Sequence, residues 1–205
     1  FIICVWMAYR LTMKPTGKQN ALEMLIEFTN GIVDGNLPNQ TGRELKFFSF
    51  VLFAFVFVTN QLGLILHVNV GGVTFLKSAT SDPLVAFTLA LISIGLSHFL
   101  SVDKGGFKKY VKGVYFSPYA ALMPINVIDQ FTSFMTLGLR LFGNIFAGEI
   151  VMGLIWELAK SYGILTMVPG LILAVIWMAF SFFIGAIQAY VFVVLTNVYV
   201  GEKLE

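Results

Sequence analysis

Residues 170–200, GLILAVIWMAFSFFIGAIQAYVFVVLTNVYV, contain no charged side chain. As a helix this stretch is about 46 Å long, whereas the hydrocarbon core of a bilayer is about 30 Å thick. Crossing that core would need a tilt of about 50°, beyond the roughly 0 to 40° of most membrane helices. The stretch therefore predicts a long, strongly tilted membrane helix that is shaped against a curved partner surface.

The composition of the whole chain is that of a membrane protein. Of its 205 residues 58% are hydrophobic and 12% are charged, compared with roughly 25% charged residues in soluble domains. The net charge is only +2, and the basic residues gather in short connecting segments, so no nucleic-acid partner is predicted. The single cysteine, Cys4, has no second cysteine to pair with, which excludes a disulfide framework or a CxxC site.

The apolar runs predict an all-α polytopic membrane protein that forms a single membrane domain, residues 1–205. We expect about five transmembrane helices, the first of them truncated, with an amphipathic surface helix and a long, strongly tilted C-terminal helical hairpin. Asp82 and Pro83 favour the start of a helix at that point. The predicted segments are the end of the first helix (1–12), the amphipathic surface helix (16–36), two transmembrane helices (44–67 and 83–102), a basic loop with a short apolar segment (103–123) and the hairpin (124–160 and 166–201).

One charged residue, Arg140, lies deep within the first hairpin helix. An arginine at the centre of a membrane helix costs about 2.5 to 3.5 kcal/mol on insertion scales, so by default it marks a functional site. The alternative is a structural ion pair between helices, but the second hairpin helix has no acid before Glu202. On a regular helix Asp129 lies about 16 Å from the arginine in one direction and Glu149 about 13 Å away in the other.

The spacing of these two carboxylates decides what they can do. At about 30 Å apart along one helix they cannot act on the same scissile bond, where paired carboxylates stand within about 10 Å. They can instead mark two polar access paths, one from each side of the membrane, which the permanent cation between them keeps from joining. Cytoplasmic loops of membrane proteins carry an excess of Lys and Arg. If segments 10–46 and 103–112 are cytoplasmic, most Lys and Arg residues of this chain lie on the cytoplasmic side of the membrane. Asp129 then lies toward the cytoplasm.

Two motifs resemble subunit a of the F-type ATP synthases. They are LGLRLFGNIFAGE at 137–149 and QAYVF at 188–192, the latter followed by Leu195 and Thr196. Weaker similarity at 15–17, 59–63 and 123–126 extends the resemblance over nearly all of the chain. The resemblance implies that the hairpin lies against a rotating ring of c subunits, and that Arg140 is the arginine that faces each ring carboxylate in turn.

The resemblance also implies roles for further residues. Glu149 matches the acid of the outer half-channel, Asp129 stands in the place of a cytoplasmic-side acid, and Asp82 is a candidate for the outer access path. By the same resemblance, Asn144 and Gln188 are polar residues beside the arginine, and Asn60 lines the outer half-channel.

The chain departs from the family at one position. Some members carry a histidine seven residues before the glutamine, where this sequence has Ser181. A hydroxyl does not become cationic near neutral pH. We therefore expect the outer proton relay to run through Glu149, Ser181, Asn60 and water.

The implied function is that of a proton-translocating stator subunit of a rotary F-type ATP synthase, with two offset half-channels. The chain has no phosphate-binding loop, so we expect no catalysis of its own, and neither a cofactor nor a metal site is predicted. The implied partners are the c-subunit ring, the b subunits of the peripheral stalk, the remainder of the F1Fo complex and membrane lipid. The implied location is a bacterial plasma membrane, with a chloroplast thylakoid membrane as the second choice.

Two other functions stay open at this point. A stand-alone secondary transporter or ion channel would use Arg140 to bind an anion, and internal repeats or paired broken helices would support it. A purely structural scaffold would not need the arginine for proton conduction. His67 and His98 are expected to be interfacial and structural.

Overall fold

A computed structural model describes residues 17–37, 39–65, 69–70, 73–74, 79–116, 122–161 and 163–204. Within these residues it has six α-helices: α1 (Lys18–Asn36), α2 (Asn39–Ile65), α3 (Pro83–Gly105), α4 (Phe107–Phe116), α5 (Met123–Ser161) and α6 (Ile164–Leu204). Four of them, α2, α3, α5 and α6, are long and apolar enough to cross a membrane. The predicted all-α polytopic membrane fold is confirmed. The predicted end of a first helix, 1–12, lies outside the described residues.

The connection between α2 and α3 has some regular structure of its own. A short antiparallel ladder pairs β1 (Asn69–Val70) with β2 (Val73–Thr74). A single 3₁₀ turn, Ala79–Ser81, follows and packs against α2, α3 and α5. This turn thereby brings part of the connection to the helix bundle.

Helix α3 begins at Pro83, as the sequence predicts. The Asp82 carboxylate accepts a hydrogen bond of 2.8 Å from the backbone N–H of Leu84, which satisfies a donor that the helix itself leaves unpaired. Pro83, the first helical residue, has no N–H to leave unpaired. The helix ends before Gly106, whose φ of 74° favours glycine.

The structure differs from the prediction of a basic loop with a short apolar segment over 103–123. Helix α3 continues to Gly105, and α4 follows directly. Helix α4 packs against α3, α5 and α6. Tyr110 is buried and Val111 and Val114 are half-buried, whereas Lys108 and Lys112 are exposed. The high number of lysines favours a loop in the sequence. The apolar residues of α4, however, recur at spacings of three and four, which is the pattern of an amphipathic helix.

The hydrophobic core lies where the α5–α6 hairpin packs against α2 and α3. Large side chains from each of these helices are buried there, including Val56, Ile94, Leu137, Leu141, Phe192 and Val193. The amphipathic helix α1 lies against α2 and α6. The core therefore fixes how α5 and α6 are rotated relative to the rest of the bundle.

Polar contacts join the C-terminal parts of α3 and α6. Lys203 Nζ lies 3.1 Å from Nε2 of His98, and the other ring nitrogen of His98 contacts the Tyr110 hydroxyl. Because an ammonium can only donate, Nε2 accepts and Nδ1 carries the proton. Burial, with a further contribution from Tyr115, raises the pKa of Tyr110. His98 thus has a structural role that connects α3, α4 and α6.

At the opposite end the two hairpin helices touch through their backbones. A Cβ added to Gly170 would stand 2.6 Å from Cβ and 2.9 Å from Cα of Ala159. Only glycine permits such a close approach, which is typical of small residues at membrane helix contacts. Further along, Trp177 Nε1 donates a 3.2 Å hydrogen bond to the carbonyl of Gly148. These contacts set the register between α5 and α6.

Candidate functional site

A cavity of about 340 Å³ lies between α2, α5 and α6. Four of the eight predicted site residues line it: Asn60, Asn144, Glu149 and Ser181. They come from three helices and from positions far apart in the sequence. Packing of the hairpin against α2 therefore assembles one polar group of residues inside an otherwise apolar part of the bundle.

Glu149 provides the charge in this cavity. Its carboxylate is the only ionisable acid or base among the described lining residues. One of its oxygens, Oε1, is buried and accepts no hydrogen bond from any residue that the structure describes. A buried acceptor without a donor costs about 1–3 kcal/mol. Glu149 thus lines the cavity with a carboxylate whose buried Oε1 is left without a donor by the described residues.

Asn60 is fixed in position by two neighbours. It is 3% exposed, and its Nδ2 donates to the Gly185 carbonyl at 3.4 Å while its Oδ1 accepts from the Thr80 hydroxyl at 2.9 Å. The next residue, Gln61, donates to the Phe182 carbonyl at 3.0 Å. The amide group of Asn60 is thereby held rigidly at the cavity wall, between α6 and the 3₁₀ turn.

Arg140 lies on α5 beside the buried Leu141 and is itself half-buried. No hydrogen bond or ion pair joins its guanidinium to any side chain or carbonyl in the described part of the chain. One turn further along, Asn144 Nδ2 donates to Gln188 Oε1 at 2.7 Å, which links α5 to α6. Gln188 is 4% exposed, and its Nε2 has no acceptor among the described residues.

The two remaining predicted residues, Asp82 and Asp129, do not line the cavity. Both are exposed, and Asp82 caps α3. Asp129, Arg140 and Glu149 all stand on α5, which is a single helix from Met123 to Ser161. Their order along the helix axis is therefore the one expected from the sequence, with the arginine between the two acids.

Several residues of the site are not among those that the sequence predicts. Thr80 orients Asn60 from the connection between α2 and α3, and a single sequence contains no signal for that contact. Trp156 and Trp177 form aromatic walls of the cavity. The sequence of an apolar helix does not distinguish a tryptophan that lines a cavity from one that faces lipid. Only the packing of α5 and α6 distinguishes them.

Comparison with known proteins agrees with the motifs at 137–149 and 188–192. The family model described as ATP synthase A chain matches residues 1–201. The chain belongs to this family. Three relatives are each named ATP synthase subunit a. One from Limosilactobacillus fermentum is 50% identical over 204 residues, covering 100% of this chain and 86% of the relative.

The other two relatives are slightly more distant. The protein of Enterococcus hirae is 45% identical over 206 residues, covering 100% of this chain and 86% of its own length. That of Listeria monocytogenes serovar 1/2a is 41% identical over 203 residues, covering 99% of this chain and 85% of the relative. The resemblance to subunit a is thus confirmed over the full chain. This member of the ATP synthase A chain family is a multi-pass membrane protein with bacterial relatives.

Proposed function

We propose that this chain is the proton-translocating stator subunit of the Fo sector in a bacterial plasma membrane, and that it has no catalytic site of its own. One observation carries the proposal. Helix α5 places Arg140, without a partner in the described part of the chain, between the cavity that holds Glu149 and the exposed Asp129. Two acids on opposite sides of an unpaired cation in one membrane helix fit two offset half-channels.

The surface of the hairpin supports a partner in the membrane. Within an 18-residue apolar window of α2 and of α3, 39% of the residues are buried inside the chain, compared with 17% in the corresponding windows of α5 and α6. One exposed stripe on α6 follows spacings of three and four, as in a helix contact face: Ile176, Phe180, Phe183, Ile187 and Tyr190. We assign the c-subunit ring to the hairpin surface and the b subunits of the peripheral stalk to the remaining surface of the stator.

In the proposed mechanism a proton from outside reaches the cavity, where Glu149 accepts it and passes it to a ring carboxylate. The neutral carboxylate then travels through lipid with the ring and loses its proton on the Asp129 side. Arg140 favours the ionised form of each approaching carboxylate, because an opposite charge within about 4 to 6 Å stabilises it. Each charge that crosses 100 mV supplies about 2.3 kcal/mol, so several protons must pass for each ATP.

The amide pair of Asn144 and Gln188 has a separate role in this mechanism. Their hydrogen bond fixes α5 against α6 one turn from Arg140. The Nε2 donor of Gln188 is buried and has no acceptor among the described residues. The role of the pair is therefore to hold the two helices together beside the guanidinium.

Replacing Glu149 with glutamine tests the outer half of the path. The amide keeps the shape of the side chain but cannot carry a proton, so we expect proton-driven ATP synthesis in reconstituted vesicles to fall by roughly 10² or more, the usual contribution of a positioned proton-transfer group. Glu157→Gln is the matched control, because Glu157 is an exposed glutamate on the same helix. Equal rates in the two variants would contradict the proposed path through the cavity.

Asp82 is proposed to serve the outer access path in addition to capping α3. Asn is as good an N-cap as Asp but does not titrate, so Asp82→Asn separates the two roles. We expect that variant to keep the thermal stability of the complex and to lower proton flux at low outer proton concentration, by less than Glu149→Gln. Asp82→Ala should also lose about 1 kcal/mol of stability. Unchanged flux in Asp82→Asn at all outer pH values would leave the residue as a cap only.

A further inference from the structure

Helix α4 is held at the level where two membrane spans end. The apolar span of α3 ends at Asp103, that of α5 begins at Met123, and α4 lies between them in the chain. The first residue of α4 follows α3 after a single glycine. Near the other end of α4, the carbonyl of Tyr115 accepts a 3.1 Å hydrogen bond from Nδ2 of Asn126 on α5. Both ends of α4 are therefore attached to the ends of membrane helices, which places it at one surface of the bilayer.

The charge of this surface segment has one sign. Residues 104–116 contain four lysines and no acid. Lys108 and Lys112 are exposed, and neither forms an ion pair with any side chain in the described part of the chain. Because they are four residues apart on a helix, their side chains are neighbours on the same side of it. Two adjacent ammonium groups are thus left for an anionic partner from outside the chain.

Exposed aromatic side chains accompany these lysines. Phe107 is 69% exposed and Phe116 is 39% exposed. Lys108, Lys112 and Phe116 follow one another at intervals of four, so they form one stripe with two cations and a phenyl ring. Lysines with long apolar stems and aromatic rings are typical of the boundary between lipid headgroups and acyl chains. A partner that offers both an anion and apolar chains at this level fits the stripe better than an acidic surface in water.

We propose that the stripe of Lys108, Lys112 and Phe116 binds an anionic phospholipid. The lipid phosphate lies between the two ammonium groups, and the ring of Phe116 lies against the upper part of the acyl chains. Basic segments next to membrane helices are attracted to anionic leaflets in this way. A bound lipid fixes α4 to the membrane surface and, through the hydrogen bond between Asn126 and Tyr115, also supports the start of α5. This site is separate from the proposed proton path.

Photolabelling measures the lipid preference directly. The purified F1Fo complex in phosphatidylcholine nanodiscs receives a trace of phosphatidylglycerol or of phosphatidylcholine, each with a photoreactive diazirine at the top of one acyl chain. Chymotrypsin, which does not cleave at lysine, then releases peptides of α4, and mass spectrometry gives the ratio of the two labels in them. Each lysine near an anionic surface contributes roughly a factor of five. We therefore expect this ratio to fall about tenfold or more in the double variant Lys108→Gln/Lys112→Gln.

Two control variants show whether the charge at this place is what matters. Lys108→Arg/Lys112→Arg keeps both cations and should keep the label ratio within about twofold of wild type. Lys160→Gln removes an exposed lysine at the far end of α5 and should leave the ratio unchanged. Equal ratios in the wild type and the double glutamine variant would overturn the proposal.

Thermal dissociation of the complex distinguishes a lipid from an acidic protein segment as the partner. A ligand that binds the assembled state stabilises it, so nanodiscs with phosphatidylglycerol should raise the dissociation temperature of the wild type above that in phosphatidylcholine, and the double glutamine variant should lose this rise. A protein partner predicts instead a lower dissociation temperature of the variant in both lipids with an unchanged label ratio, which would refute the lipid site. Neither measurement involves proton flow, so the proposed function stands or falls independently.

Discussion

Replacing Arg140 with alanine is expected to abolish proton-driven ATP synthesis while the chain still inserts and assembles. The substitution removes the cation that stands between Glu149 and Asp129 on α5, so protons can pass between the half-channels without turning the ring. Because an arginine at this depth costs about 2.5 to 3.5 kcal/mol on insertion, its loss should not impair the folding of the helix. Its lack of a partner in the described part of the chain supports this expectation.

The size of the effect follows from the electrostatic role. Removing one fixed group that stabilises a charge in a water-excluded site typically lowers a rate by about 10² to 10³, so we expect ATP synthesis in vesicles to fall at least a hundredfold. Passive proton leak through Fo should rise at the same time. ATP yield after an acid–base jump and dye-monitored proton uptake measure the two quantities separately.

Lys160→Ala is the control for the loss of a positive charge, since Lys160 is exposed at the end of the same helix. It should leave both measurements near the wild-type values. A structural scaffold predicts no change in Arg140→Ala either, and a stand-alone anion transporter predicts loss of anion uptake with ATP synthesis intact. A normal ATP yield in Arg140→Ala would thus remove the proposed function.

Replacing Gly170 with valine should be the most damaging change to the fold that leaves every predicted site residue in place. Even a Cβ at this position would stand 2.9 Å from the Cα of Ala159, and a backbone atom cannot move aside as a side chain can. Overpacking of this kind costs about 1–3 kcal/mol where side chains yield, and we expect about 3 kcal/mol or more here. The hairpin must then separate or slide.

The consequence should reach the site, because the same hairpin holds the Asn144–Gln188 hydrogen bond and the cavity. We expect a lower yield of assembled complex and a lower temperature of subunit dissociation on native gels. Gly153→Ala is the control, since a Cβ at Gly153 meets nothing within 4 Å and alanine favours the helix by about 1 kcal/mol. Wild-type assembly and dissociation temperature in Gly170→Val would show that the helices do not need this close approach.

The outcome of the sequence predictions differs between α4 and α5. Helix α5 could be predicted because its apolar run is long, and a regular rise of about 1.5 Å per residue orders Asp129, Arg140 and Glu149 along it. Helix α4 was wrongly expected to be a loop, because four lysines within 104–112 outweighed a short apolar period. That period matters only because α3, α5 and α6 offer a surface on which the apolar side of α4 can be buried.

The amino-acid sequence by itself determined that the chain spans a membrane, where its long helices run, and that a lone arginine stands between two acids. These properties depend on local composition and on the fixed geometry of a helix. The tertiary structure decided which residues meet: Asn60 and Ser181 at the cavity of Glu149, Asn144 with Gln188, and two tryptophans as cavity walls. The physical reason is that such contacts depend on the rotation and register of neighbouring helices. Close packing sets both, at points such as Gly170 against Ala159, and the periodicity of a single helix does not contain them.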